Sequence, residues 1–105
     1  MKKLPTNPSL QQFQTLVAEL CIERGFDRET LPEVFTVLVE EIGELAKAVR
    51  KANGQKIDAK SLHFDVAEEA ADVFWLLLDL CNRLDIDLEQ AFRAKELKNQ
   101  KRIWK

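Results

Sequence analysis

The sequence predicts an all-α fold: a four-helix bundle completed by dimerisation. Three observations carry that prediction. Every proline falls at or before Pro32, so residues 33–105 contain none. That long segment is rich in Leu, Ala, Glu and Lys, which favour helix. Apolar residues recur at steps of three and four, and no run alternates apolar with polar residues as a half-buried strand would.

The elements follow in order. Residues 1–8 read as a loose lead-in. A first helix is expected from about Ser9 to Arg24, with Leu10, Phe13, Val17, Leu20 and Cys21 on its apolar face and Gly25 as its C-cap. A second begins at Thr30-Leu31-Pro32-Glu33, a capping box with proline in the first turn, and runs to about Ala52. Its expected core stripe is Leu31, Phe35, Leu38, Ile42, Leu45 and Val49, and Asn53-Gly54 ends it. A third helix is expected from Asp58 or Ser61 to about Leu84, on a stripe of Leu62, Val66, Val73, Leu77, Leu80 and Leu84. From Val73 to Leu78 it is apolar on all sides, which calls for protein on all sides. The fourth starts at a second capping box, Asp87-Leu88-Glu89-Gln90, and is expected to reach Arg102.

Size and charge narrow the function. The 105 residues make one domain, 1–105. A chain this short buries only about 60–70% of its unfolded surface, so self-association is a natural way to finish the core. Sixteen basic residues against 18 acidic ones leave a net charge of -2, without the basic excess of a general nucleic-acid binder. The longest apolar run, Val73–Leu78, is far below the roughly 20 residues of a membrane span. Met-Lys-Lys is followed by Leu-Pro-Thr-Asn-Pro, with no apolar signal segment. The expectation is a cytoplasmic protein with neither nucleic-acid nor membrane partners. Cys21 and Cys81 sit among apolar residues and are expected to be buried free thiols. With His63 the single histidine and no Cys-x-x-Cys, a His- or Cys-based metal site is not expected.

Carboxylates, however, stand where a core helix should be apolar. Glu41 and Glu44 lie one turn apart at the edge of the second helix's stripe, with Glu40 within a turn of Glu44. Glu69 falls inside the third helix's apolar sector with Asp72 at i+3, and Asp65 and Glu68 are near. Ionised carboxylates withdrawn from water need protons, cations or a metal to offset their charge. An all-oxygen set selects a hard divalent cation, Mg²⁺ with Mn²⁺ as a substitute, and the expected ligands are Glu41, Glu44, Glu69 and Asp72. On the fourth helix Lys95, Lys98, Asn99 and Arg102 continue an apolar face as a cationic stripe. Such a stripe suits phosphate oxygens, although a basic last turn also complements the helix dipole. Gly43 beside the acids has two readings, close helix packing or room for a bound group.

These residues resemble a known family. Glu40-Glu41-Ile42-Gly43-Glu44, then 24 residues, then Glu69-Ala70-Ala71-Asp72 is similar to the EExxE…ExxD signature of MazG-like nucleoside triphosphate pyrophosphohydrolases. The segments LVEEIGELAKAVRK and EEAADVFWLLLDL look like that family's two metal-bearing helices, and KELKNQKR like its basic tail. The resemblance spans about residues 30–102. It implies a single-domain, Mg²⁺-dependent enzyme that assembles as dimers or dimer-based tetramers. The implied reaction cleaves a nucleoside triphosphate between its α- and β-phosphates, giving the monophosphate and pyrophosphate in nucleotide-pool housecleaning. Glu41, Glu44, Glu69 and Asp72 carry over as metal ligands. Either Glu40 or Glu41 would orient the attacking water, and Lys95, Lys98, Asn99 and Arg102 would contact phosphate. The aromatic base pocket of the dCTP-cleaving relatives is not recognisable upstream of Glu40. A phosphoribosyl-ATP pyrophosphohydrolase-like enzyme and a non-catalytic nucleotide-binding helical dimer remain as alternatives.

Overall fold

The computed structural model describes residues 4–54 and 65–102. Among these there are four α-helices and no strand: α1 (Leu10–Glu23), α2 (Leu31–Ala52), α3 (Val66–Arg83) and α4 (Leu88–Lys101), with a 3-10 turn at Phe26–Arg28 between α1 and α2. The all-α prediction therefore holds.

Local chemistry sets the helix ends. Ser9 caps α1 through a full capping box with Gln12, and Thr30 caps α2 through one with Glu33. Arg24 is the C-cap of α1, and Gly25 follows it with φ of 76°, a left-handed turn that costs glycine little. The third helix begins later than the sequence indicates. Asp65, read from the sequence as a neighbour of the acid cluster, is instead its N-cap and accepts a hydrogen bond from the Glu68 N–H. Asp58, Ser61 and Leu62 lie outside the described residues. Asp87 caps α4 by accepting from the Gln90 N–H, but the return bond that would complete the expected box is not among the described contacts. α4 ends at Lys101, with Arg102 as C-cap.

Packing centres on α2 against α3, with α1 laid across α3 and α4 leaning chiefly on α1. The buried apolar residues are Val17, Cys21, Val34, Leu38, Ala48, Leu78 and Cys81. On α2 this corrects the expected stripe. Leu38 is buried and Leu45 half-buried, but Leu31, Phe35, Ile42 and Val49 are exposed, Phe35 by 54%. The helix is apolar on two sides, and the side carrying Val34, Leu38 and Ala48 faces α3. On α3 the buried line is likewise displaced to Leu78 and Cys81, while Val66 and Leu84 are exposed. The described residues do not cover Val73–Leu78 all round, since Phe74 is 38% exposed, and that uncovered face is the one the sequence reading gives to a partner subunit. Both cysteines are buried and free, as expected.

Two polar knots tie the helices together, and neither was foreseen from the sequence. Gln14, buried on α1, donates to Asn82 Oδ1 at 3.1 Å and the Ile86 carbonyl at 2.8 Å, and accepts from the Leu88 N–H at 2.9 Å. Arg83 pairs with buried Asp79 at 2.9 Å and donates to the backbone carbonyls of Phe26, at 2.7 Å, and Glu29. That clamp fixes the α1–α2 connector against the end of α3. Cys21 joins it by donating to Asp79 Oδ1 at 3.7 Å. Burial first, and then the Asp79 carboxylate, push its thiol above the usual range, which keeps the proton in place.

Candidate metal centre

The functional candidates lie on the facing sides of α2 and α3. Glu41 and Glu44 sit half a core's depth down because the line that buries Leu38 and Ala48 passes through them at helical spacing. From α3, Glu69 and Asp72 answer one turn apart, Glu69 half-buried and Asp72 exposed. One carboxylate oxygen each from Glu41, Glu69 and Asp72 lies within 4.8 Å of the others.

The electrostatics of this cluster are one-sided. The Glu41 pKa is raised, by burial first, then by the charges of Asp72 and Glu69, a hydrogen bond with Glu69, and the charge of Glu44. All the charges that act on it in this way are carboxylates. Glu44 joins the group through that coupling, and its Oε2 is buried without a hydrogen-bond partner among the described residues. Such an oxygen calls for a cation. Ligand oxygens on opposite sides of a hard divalent ion stand about 4–5 Å apart, so the donor set and its span both fit one.

The remaining candidates are placed differently. Glu40 is exposed on α2 beside the cluster. Gly43 is exposed too, and an added Cβ there would meet nothing within 4 Å, so packing among the described residues does not account for it. Lys95, Lys98 and Arg102 are exposed on α4 and Asn99 is half-buried, donating to Glu96 Oε2 at 3.3 Å. α4 has no buried residue, and its cations are not among the charges acting on Glu41. The structure thus brings Glu41, Glu69 and Asp72 together, with Glu44 acting on Glu41, and the basic stripe is not among the charges that act on Glu41.

A cavity of about 320 Å³ opens directly beside the acids. Glu41 and Asp72 line it together with other residues that include Arg24, Phe26, Glu29 and Trp75. Phe26 and Trp75 meet edge to face with ring centroids 6.1 Å apart. Sequence reasoning missed Phe26 and Glu29 because they lie in a connector with no periodicity. Asp79 within an apolar run, four residues before Arg83, was a readable signal for the clamp.

An all-α domain that gathers carboxylates from two packed helices beside an aromatic-lined cavity is the class this geometry defines. Residues 29–103 match the family described as the MazG nucleotide pyrophosphohydrolase domain, and the chain belongs to that family. Among solved structures it is similar to iMazG from Vibrio DAT 722, with a TM-score of 0.67 and 29% identity over 89% of this chain. The match takes in 99% of the C-tagged form and 95% of the N-tagged form. It is also 44% identical over 59 residues to the uncharacterized protein YpjD of Bacillus subtilis (strain 168), which is 51% of this chain and 50% of that one. The match thus spans about half the length of that curated relative.

Proposed function

We propose that this protein is a Mg²⁺-dependent nucleoside triphosphate pyrophosphohydrolase. It would cleave its substrate between the α- and β-phosphates to give a nucleoside monophosphate and pyrophosphate. The observation that carries the reading is the carboxylate cluster: three acids from two helices within 4.8 Å and a fourth with a buried, unpartnered oxygen. Membership of a nucleotide pyrophosphohydrolase family supports it.

Glu41, Glu44, Glu69 and Asp72 are the residues that would hold the ion. The chemistry such an ion would supply there is offset of negative charge on the phosphates and a lowered pKa for the attacking water. The chain itself supplies the rest. Glu40, exposed beside Glu41, accepts a hydrogen bond from the attacking water and aims it in line with the scissile bond. The half-buried setting of Glu41 and Glu69 limits water on the far side of the cluster, which strengthens each charge interaction there. Lys95, Lys98, Asn99 and Arg102, a cationic stripe at i, i+3, i+4 and i+7, hold the departing pyrophosphate.

The working form is a homodimer, or a tetramer built from dimers, joined through the exposed apolar side of α2. The reading places the enzyme in the cytoplasm, where buried free thiols persist and nucleotides are found. No helix among the described residues is long and apolar enough to cross a membrane.

The test is a panel of ribo- and deoxyribonucleoside triphosphates plus a phosphoribosylated adenine nucleotide, with pyrophosphate detected in Mg²⁺ and in chelator. Pyrophosphate from triphosphates in Mg²⁺ alone is the expected result. Turnover confined to the phosphoribosylated substrate would reassign the activity. No turnover with any substrate would leave a nucleotide-binding helical protein.

A further inference from the structure

Helix α4 carries the cationic stripe yet is thinly held. Among the described residues it buries no side chain, and its Phe92 and Leu97 are 68% and 61% exposed. So few buried contacts set a helix's direction weakly.

The joint at its start is built differently. Gln14 on α1 is 7% exposed, and its whole carboxamide is used. Nε2 donates to the Ile86 carbonyl at 2.8 Å and to Asn82 Oδ1 at 3.1 Å, and Oε1 accepts from the Leu88 N–H at 2.9 Å. Asn82 closes the ring by donating to the Gln14 carbonyl at 2.8 Å. Leu88 is the first residue of α4, so its N–H has no partner inside the helix. One side chain thus grips the α3–α4 turn on both sides of Asp87. Within that turn Asp85 holds a left-handed conformation with φ of 57°, which is unfavourable for a residue with a side chain and persists where its surroundings hold it. A cavity of about 430 Å³ borders the joint, with Gln14, Asn82, Ile86 and Asp87 in its lining, so hydrogen bonds hold the turn where packing leaves space.

A rigid helix converts a small tilt at its base into a large shift further along. At about 1.5 Å per residue, Lys98 lies about 15 Å along α4 from Leu88, and a tilt of about 10° moves it by about 2.6 Å. A shift of that size takes a cation out of hydrogen-bond range of a phosphate oxygen. On the other side of the turn, α3 bears Glu69 and Asp72. The angle between the two helices therefore sets where the stripe stands relative to those acids.

We propose that Gln14 is a positioning residue for the phosphates of the substrate: by bonding across the α3–α4 turn it sets the direction of α4, and with it the reach of Lys95, Lys98 and Arg102. The inference rests on the pyrophosphohydrolase reading for what the stripe meets, and the experiment separates the two.

That experiment pairs steady-state kinetics on a nucleoside triphosphate in Mg²⁺ with calorimetric titration of magnesium pyrophosphate and of a nucleoside monophosphate. Gln14→Met keeps the side chain's length and removes its three bonds. The β- and γ-phosphates are charged before and during the reaction alike, so losing their contacts weakens both states equally. KM and the pyrophosphate Kd should therefore rise at least about tenfold with kcat little changed. Monophosphate binding should stay at the parent's level. A merely destabilised protein would instead show a smaller active fraction, with lower kcat at the same KM. Leu88→Pro removes one bond of the joint at a helix position where proline is tolerated, and should move KM in the same direction. Asn82→Ala leaves both Gln14 bonds across the turn in place, and should lower the urea midpoint with KM near the parent's. The inference is overturned if Gln14→Met and Leu88→Pro match the parent in KM and pyrophosphate Kd, or if KM follows the urea midpoint across all three variants; turnover by the parent would still uphold the enzymatic reading. A parent without turnover whose pyrophosphate binding is weakened by Gln14→Met supports the inference and refutes the enzymatic reading. A parent that neither turns over nor binds pyrophosphate refutes both.

Discussion

Glu41 is the residue on which the proposed chemistry turns. Its carboxyl lies against those of Asp72 and Glu69, with Glu44 near, and burial and like charge together raise its pKa. In metal-free protein this is a destabilising arrangement, because a raised carboxyl pKa means that folding disfavours the ionised form. Glu41→Gln keeps the shape and removes one charge. Its urea midpoint in chelator is therefore expected at or above that of the parent, and Asp72→Asn should behave alike. On the proposed ligand set both variants would lack a metal-binding carboxylate, and pyrophosphate release in Mg²⁺ is expected to fall at least about a hundredfold. Parental rates in either variant would remove Glu41 or Asp72 from the metal site. All four acids were legible in the sequence, since a carboxylate at the edge of an apolar stripe is visible by spacing alone. What spacing does not give is depth: Asp72 is exposed, whereas one oxygen of Glu44 is fully buried.

At the scale of the helix, two interactions decide whether α2 and the connector stand where the site needs them. The first is the α2 capping box. Hydrogen bonds to the Thr30 N–H and side chain hold the Glu33 pKa below its ordinary value. A depressed carboxylate contributes stability above its unfolded pKa and loses it as pH falls through the folded value. The difference in melting temperature between parent and Glu33→Ala is thus expected to be full at neutral pH and to vanish on acidification through that window. The second is the Arg83 clamp. Removing Arg83 leaves Asp79, 3% exposed, as an unpaired buried charge, and the penalty for breaking such a pair is about 3–5 kcal/mol. Urea unfolding of Arg83→Met should show that loss, and the double variant Asp79→Leu with Arg83→Met should recover most of it. The caps of α1 and α2 were readable because Ser9, Thr30 and the residues three beyond them form a local code. The clamp joins residues more than fifty positions apart, and no local pattern encodes that.

For the whole molecule the determining fact is that α2 is apolar on two sides and the described residues cover only one of them. Periodicity counts apolar residues but does not say which set meets its own chain, so the regular stripe from Leu31 to Val49 was assigned to the core while Val34, Leu38 and Ala48 actually fill it. The radius of gyration, 16.4 Å, exceeds the roughly 13 Å of a compact chain of this length. On the proposed assembly, the apolar side of α2 that the described residues leave exposed is the contact between chains. Phe35, Val39 and Ile42 occupy successive turns of it, 54%, 52% and 49% exposed, on the side of α2 turned away from Glu41 and Glu44. Association through this side would cover them without blocking the acids. Light scattering of the parent is expected to report twice 12.1 kDa or a multiple of that dimer. Placing a charge in the buried patch with Phe35→Asp should shift the protein toward monomer and lower its urea midpoint, because an unpaired charge at an apolar interface is costly. Since Phe35 lies more than a turn from Glu41, affinity of the remaining dimer for Mg²⁺ should change little. A parent that runs as a monomer at all concentrations, with Phe35→Asp indistinguishable from it, would refute the assembly and leave the outer side of α2 without a role.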